Sequence, residues 1–298
     1  MNKVVLITGS STGFGRTTAE ILGRHGYTVF ATMRDPVGRN SKHREALESL
    51  ASNENVPIHV VEMDVFNETS VSAATEQILK RAGRIDVVIN NAGVAALGIT
   101  EAYTLQEIKN LFEVNVFGVA RVNRAVLPTM RRQRSGLLIH VGSAAGRIVA
   151  PYMGIYCASK FALEALADSY RFELAPFGVD SVIVEPGIHR TPILDAFQPP
   201  DDESRAAEYR PDGDFTSRVK GVFDAASALP ETPGSAEVAE AFLKLIETPA
   251  GTRPFRTVPT PSVAPLLEPY NTAAAQMRQV TAQMFNVPEL MALKSSNS

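Results

Sequence analysis

Short runs rich in valine and isoleucine alternate with helix-length stretches of mixed polarity through the first two thirds of the chain, and this alternation restricts the fold more than any other feature. The runs are Val4–Thr8, Thr28–Thr32, Ile58–Met63, Val87–Asn90, Gly136–Val141 and Asp180–Val184, with a last one at Pro254–Val258. They are largely apolar, as strands buried on both faces are. The segments between them include Arg16–His25, Val71–Ala82, Leu105–Met130 and Ile155–Ala175. Repeated strand–helix–strand units with right-handed crossovers predict an α/β fold, a doubly wound (Rossmann), mostly parallel seven-stranded sheet with helices on both faces.

From Thr191 to Pro233 the pattern breaks, at Pro199-Pro200-Asp201-Asp202, Pro211-Asp212-Gly213-Asp214 and Pro230-Glu231-Thr232-Pro233. Long insertions of this kind are functional, mobile or plain exposed loops. Helical patterning resumes at Ala236–Ile246, with Ser235 as N-cap, and again around Leu266–Phe285; the tail Lys294–Ser298 is expected to fray.

With 298 residues the chain can fill one large α/β domain, and 45% hydrophobic with 20% charged residues is an ordinary globular balance. A formal charge of −3, from 29 basic against 32 acidic residues, leaves no footprint for nucleic acid. The single cysteine, Cys157, excludes an intrachain disulfide and any need for an oxidising compartment. The apolar start, Val4 to Ile7, is too short for a membrane helix, so a cytoplasmic protein without a membrane partner is expected.

Thr8-Gly9-Ser10-Ser11-Thr12-Gly13-Phe14-Gly15 follows the first strand and opens a helix. Glycines let backbone approach a pyrophosphate closely, and the N-terminus of the helix favours its charge. Strand-to-helix turns need glycine for backbone reasons too, so this turn alone does not establish a dinucleotide site. A protein that uses NAD places a carboxylate at the end of the second strand. Register puts Thr32 there, with Arg34 two residues on, which suits the 2′-phosphate of NADP. Arg39, Lys42 and Arg44 continue the positive stretch, mostly as a solvated face. A small shift of register would instead offer Asp35 to NAD.

Tyr156 and Lys160 share one helical face in Tyr156-Cys157-Ala158-Ser159-Lys160. A phenol is a poor base at neutral pH, and a nearby ammonium favours its phenolate. Alone, such a pair is also an ordinary helix surface. Ser143 lies just past the fifth strand, at the carboxyl edge where ligands bind in such folds, and Asn115 interrupts a helix between Val114 and Val116. The plain alternative for Asn115 is a side-chain-to-backbone cap at a local kink. Asn90-Asn91-Ala92-Gly93 closes the fourth strand, and Asp64, with Val65 beside it, ends the third; both also fit ordinary turn chemistry.

In order, these pieces resemble the short-chain dehydrogenase/reductase family across about residues 3–192: Thr8-Gly9-x-x-x-Gly13-x-Gly15, Asp64, Asn90-Asn91-Ala92-Gly93, Asn115, Ser143, Tyr156-x-x-x-Lys160, and Pro186-Gly187 with Thr191. The resemblance implies an oxidoreductase moving a hydride between nicotinamide and an alcohol/carbonyl pair. Tyr156 would exchange a proton with the substrate oxygen, Lys160 would lower its pKa and bind nicotinamide-ribose hydroxyls, and Ser143 would stabilise developing negative charge. Asn115 would hold a water linking Lys160 to solvent. Gly9, Ser11, Thr12, Gly13, Phe14, Gly15, Arg34, Asp64, Val65, Asn91, Ala92, Gly93, Pro186, Gly187 and Thr191 would join Tyr156 and Lys160 around NADP. No metal is implied. Dimers or tetramers of identical chains are expected, unless the helix past Val258 blocks one of the usual interfaces.

We therefore expect a single domain, residues 1–298, divided into a cofactor-binding and catalytic core (1–192), a helical substrate lid (193–234) and a C-terminal helical extension (259–298). Ile193, Leu194, Phe197, Phe215, Val219 and Phe223 would give the lid an apolar lining suited to a hydrophobic ketone or aldehyde. Cys157 and His140 read as buried core residues, whereas His189 and Arg190 lie where a substrate could touch them. The rival from another class is a non-catalytic NADP sensor or scaffold, which has no use for the acid/base set. Sugar-nucleotide epimerases and dehydratases share the Tyr and Lys but space their glycines differently.

Overall fold

Side chains alternate across a strand, so the two faces of the central strands build two separate cores. In the computed structural model, which describes residues 2–211 and 213–294, Val5 and Ile7 pack with Val29, Val87 and Ile89 beneath helices α1 (Gly13–Arg24) and α9 (Ala236–Glu247). Val4, Leu6, Phe30 and Val88 pack on the other side against α3 (Glu68–Ala82) and α5 (Gly118–Gln133). Each such fully buried side chain is worth about 1.5–3 kcal/mol relative to exposure. Strand β1 (Val4–Ile7), buried at every residue, is therefore obliged to sit in the middle of the sheet.

The strands are β1, β2 (Thr28–Met33), β3 (Ile58–Glu62), β4 (Val87–Asn90), β5 (Gly136–Val141), β6 (Val179–Val184) and β7 (Arg256–Thr257). Their order is β3-β2-β1-β4-β5-β6-β7, and every pairing is parallel rather than mostly so. Consecutive units wind outwards from β1 in both directions, and the loops leaving β1 and β4 diverge to open a crevice at the carboxyl edge. Strand β7 is shorter than the expected Pro254–Val258. Pro254 has no amide hydrogen for a ladder, and β7 pairs only with β6.

The helix expected over Leu105–Met130 is broken. Helix α4 (Leu105–Phe112), held by a Thr104–Glu107 capping box, passes through a π-helical turn, Glu113–Phe117, into α5. The region that loses periodicity contains helices α7 (Glu203–Ala207) and α8 (Phe215–Ala228). Its aspartates are caps: Asp202 accepts from the Arg205 amide and Asp214 from the Ser217 amide, each at 3.0 Å. Asp212 lies outside the described residues. Ser235 makes no cap hydrogen bond to α9; its hydroxyl meets that of Thr17 at 2.6 Å, tying α9 to α1.

Helix α10 (Ala264–Met284) follows β7 and buries only Leu267 and Ala282 fully, leaving Leu266, Tyr270, Met277, Val280 and Met284 exposed. The expected fraying does not extend to Lys294, whose amide donates to the Ala175 carbonyl at 2.9 Å; Ser295–Ser298 lie outside the described residues. Among the described residues no helix is long and apolar enough to cross a membrane.

Candidate active site

The crevice is a cavity of about 610 Å³ bounded by the first turn, the ends of β2, β3, β4 and β5, helix α6 (Gly154–Leu174), and segments of the insertion and of α10. Gly9 has φ of 68°, and a Cβ there would stand 2.9 Å from Ala92 Cα, so the two loops can touch only through glycine. A Cβ at Gly15 would meet both Asn91 Nδ2 and the Gly9 carbonyl at 2.5 Å. The Thr8 hydroxyl accepts from the Asn91 and Ala92 amides at 3.0 Å, and Asn91 Nδ2 donates to the Thr8 and Gly9 carbonyls at 2.8 and 3.0 Å. Gly9 and Gly15 thus allow the loops to close, and Asn91 fastens them.

Of the residues expected around a dinucleotide, Gly9, Ser11, Thr12, Gly13, Phe14, Arg34, Asp64, Val65, Asn91, Ala92, Gly93, Tyr156, Lys160, Pro186, Gly187 and Thr191 all line this cavity. Gly15 does not; it works one layer back, as packing. Asn90 is likewise internal, donating to Asn123 Oδ1 at 2.9 Å. Asp64 lies at the edge and accepts from the Phe66 amide at 3.0 Å.

The register at the second strand needs correcting. Thr32 is buried and donates to the Ile7 carbonyl at 3.0 Å, so it does not face the cavity; Met33 and Arg34 do. The strand runs one residue further than expected, to Met33, so Thr32 lies within the ladder opposite Val61 and not at its open end. The Asp35 carboxylate is occupied elsewhere, accepting from the Gly38 and Arg39 amides at 2.9 and 2.8 Å from a left-handed residue (φ 47°). Arg39 and Asn40 join Arg34 at the cavity wall, and Lys42 and Arg44 do not.

Tyr156 and Lys160 come from adjacent turns of α6 and face the loop that carries Ser143. Burial pushes the Tyr156 phenol up to about 12, and its hydrogen bond with Ser143 pulls the other way. Burial pushes Lys160 down to about 8, opposed by the Glu164 carboxylate. Lys160 Nζ donates to the Val141 carbonyl at 2.8 Å and stands 5.8 Å from the Tyr156 ring centroid. The Ser143 hydroxyl also accepts from the Ala145 amide at 3.1 Å. The result is a buried phenol, an ammonium and a hydroxyl around one corner of the cavity: a proton donor, a cation and a hydrogen-bond donor for an oxygen that gains negative charge.

Asn115 does not line the cavity. It sits in the π-helical turn, where its Oδ1 accepts from the Val94 amide at 2.9 Å and its Nδ2 donates to the Val94 carbonyl at 2.9 Å and Ser159 Oγ at 3.0 Å. The kink alternative describes its side chain. Cys157 is buried, and its thiol is pushed up by that burial. His140 is buried and pushed down to about 3, but its Nε2 has no partner, so it is less than fully satisfied. His189 lines the cavity edge-on to Phe14, with ring centroids 5.3 Å apart, while Arg190 points to solvent.

The substrate side is apolar. Ile193, Leu194, Phe197 and Phe223 line it as expected. Val219 packs one layer behind, and Phe215 instead stacks on Tyr152 at 6.4 Å between ring centroids. Sequence reasoning missed Val94, Ala95, Ile148, Ala150, Met153, Val263 and Leu266. Val94 and Ala95, directly after the Asn-Asn-Ala-Gly turn, were within reach of a local argument; Val263 and Leu266 arrive only through the docking of α10. Among the described residues no cluster could hold a metal ion.

Comparison with known proteins agrees with this geometry. The sequence profile described as "short chain dehydrogenase" matches residues 3–202. The chain is 38% identical over 194 residues to 3-ketodihydrosphingosine reductase of Bacteroides thetaiotaomicron, covering 65% of this chain and 66% of that protein. It is 35% identical over 271 residues to human 17-beta-hydroxysteroid dehydrogenase type 1, covering 89% and 79%. A short-chain dehydrogenase from Streptomyces avermitilis superposes with a TM-score of 0.74 at 29% identity, covering 96% of this chain and 97% of the other. One from Sphingobium yanoikuyae in complex with NADPH gives 0.69 at 28%, covering 92% and 94%, and one from Burkholderia phymatum in complex with NAD gives 0.72 at 26%, covering 90% and 92%. With the profile matching residues 3–202 and a relative 35% identical over 89% of the chain, the seven parallel strands in this order are the fold of a known group of oxidoreductases, and the chain belongs to the short-chain dehydrogenase family.

Proposed function

We propose that the protein is an NADP(H)-dependent carbonyl reductase for an uncharged, hydrophobic ketone or aldehyde. The observation that carries this reading is the shared cavity: a glycine-floored half leads directly to Ser143, Tyr156 and Lys160, and the wall beyond them is apolar. The residues fit a nicotinamide dinucleotide, because the close approach at Gly9 and the free amides opening α1 suit a pyrophosphate. Arg34 and Arg39, with Asp35 turned away, suit a 2′-phosphate in place of a ribose hydroxyl.

Bound there, the nicotinamide supplies the hydride. The chain's own groups do the rest. Tyr156, kept protonated by burial, gives its Oη proton to the carbonyl oxygen. Ser143 donates a hydrogen bond to the same oxygen, and the Lys160 cation beneath the phenol stabilises the phenolate left behind. Ile193, Phe197 and Phe223 exclude water and hold the apolar body of the substrate, so residues 193–234 act as a lid within a single domain. Val263 and Leu266 extend that wall from the C-terminal segment. The chain works as a homo-oligomer, and the exposed apolar side chains of α10 stand ready for such contact.

Incubating the protein with NADPH and a series of n-alkanals, 2-alkanones, cyclic and aromatic ketones tests the reading through loss of nicotinamide absorbance. Turnover should favour the larger apolar members. Tight NADPH binding with no turnover of any member would leave a binding protein instead.

A further inference from the structure

Behind the reacting groups lies a set of buried charges that no step above uses. Ser143 heads the short turn Ala144–Gly146, and Arg147 closes it. Arg147 Nε lies 3.1 Å from Glu185 Oε1, and its Nη2 lies 3.0 Å from Glu164 Oε2. Glu164 is on α6, two turns beyond Tyr156, and Glu185 directly precedes Pro186-Gly187. The three segments that carry the site are therefore tied at one point. We propose that Arg147, bridging Glu164 and Glu185, is a clamp that positions the Ser143 turn against the Tyr156 helix, with Arg147 and Glu164 as positioning residues for the reaction. This rests on the roles given above to Ser143 and Tyr156.

The clamp is dry: the side chains of Arg147, Glu164 and Glu185 are 15%, 4% and 0% exposed. None of the three lines the cavity. Arg256 of β7 braces it from the far side, its Nε 3.1 Å from Glu164 Oε2 and 3.4 Å from Glu185 Oε1. Its Nη2 is 2.7 Å from Asp168 Oδ2, whose other oxygen meets Arg278 of α10 at 3.1 Å; Asn271 donates to Glu185. Three guanidiniums thus face three carboxylates; Lys160, one turn before Glu164, and Arg171, which shares the Phe255 ring with Arg256 and Arg278, are further cations nearby. Glu164 Oε1 has no hydrogen-bond partner and fills the hollow under the turn: a Cβ at Gly142 would stand 2.8 Å from it, and one at Gly146 3.2 Å. A buried ion pair contributes little to stability compared with apolar residues of similar volume, but its geometry is directional. Arg147 Nε donates a hydrogen bond to Glu185 Oε1, its Nη2 meets Glu164 Oε2 as a charge contact without a hydrogen bond, and Arg256 Nε donates to the same Glu164 oxygen; together these contacts set the spacing of the three segments more sharply than apolar packing would. The Glu164 carboxyl is pushed up by burial and by Glu185, and Arg147 pulls it the other way.

Full-length Arg147→Met and Glu164→Gln, each alone and combined with Ser143→Ala, test this with NADPH and the best-reduced member of the carbonyl series. Arg147→Met should lower kcat about tenfold to hundredfold, the scale of a small misplacement, with NADPH affinity unchanged. On the Ser143→Ala background it should cost almost nothing further, because it acts through Ser143. Glu164→Gln should show the same non-additivity and move the alkaline limb of kcat to lower pH, since Lys160 loses the carboxylate that holds its proton. Should Arg147→Met fail to fold, the isosteric Glu164→Gln decides by the same cycle. Full kcat in folded clamp variants, or an equal fold-loss with and without Ser143, overturns the clamp. If Ser143→Ala and Tyr156→Phe abolish turnover while the clamp variants keep it, the site reading stands and only the clamp falls.

Discussion

Lys160 gives its hydrogen bond to the Val141 carbonyl at 2.8 Å and holds its charge 5.8 Å from the ring centroid of Tyr156. Strand β5 thereby anchors the Lys160 ammonium to the sheet edge that leads to Ser143. The arrangement keeps a cation in a dry place, and burial pushes it down to about 8.

The pH dependence follows from that value. Carbonyl reduction needs Lys160 charged and Tyr156 protonated, and Tyr156 stays protonated up to about 12. Activity at saturating NADPH should therefore fall as pH rises through about 8. The stability linked to Lys160 has the opposite direction: its folded value lies below the unfolded one, so its favourable share is present above about pH 10.4 and is lost as pH falls through the folded value. A kcat profile that stays level across this range would contradict the assignment.

Tyr156→Phe removes the proton donor and little else. Turnover should drop by about 10²–10⁴-fold, the usual share of general acid catalysis. NADPH titration by fluorescence should be unaltered. Retained turnover would remove Tyr156 from the reaction.

Arg34→Ala should weaken NADPH about tenfold or more and leave NADH nearly unchanged, as expected for one charge-assisted hydrogen bond to a 2′-phosphate. Equal weakening of both cofactors would place Arg34 elsewhere. Asp35→Ala should not improve NADPH binding greatly, because the carboxylate is already turned to the Gly38 and Arg39 amides.

Gly9→Ala places a Cβ 2.9 Å from Ala92 Cα at a φ of 68°. Backbone must move on one side or the other. The denaturation midpoint should fall by the equivalent of at least about 1–3 kcal/mol, and dinucleotide affinity with it. Gly83→Ala has a similar φ of 73° but open space around it, so it separates strain from collision.

Much of this protein was legible in the sequence because the relevant signals are local. Val4–Thr8, Val87–Asn90 and Gly136–Val141 read as strands from their own composition, the first ending one residue earlier in the structure, and Tyr156 and Lys160 share a face because a helix repeats every 3.6 residues. The misreadings arose where neighbours override local pattern. Thr32 looked like the ribose position, but it lies within β2, which continues to Met33, and its hydroxyl donates to the Ile7 carbonyl. Asn115 looked like an interior helix residue placed for a polar task, and its side chain is hydrogen-bonded to Val94 and Ser159, partners distant in sequence that no local pattern shows. Pro-Asp runs that looked irregular proved to carry helix caps at Asp202 and Asp214.

By itself the sequence determined the sheet, the glycine turn and the shared helical face of Tyr156 and Lys160, since strand burial, tight-turn geometry and helical spacing act over a few residues. Tertiary structure alone decided that Asp35 faces away from the cavity, that Val263 and Leu266 complete its wall, and that Arg147 meets Glu164 and Glu185 beneath Ser143. Asp35 is turned by a left-handed backbone and the amides of Gly38 and Arg39, a local turn that composition does not reveal; the other two depend on segments far apart in the chain, whose meeting is set by how the layers pack.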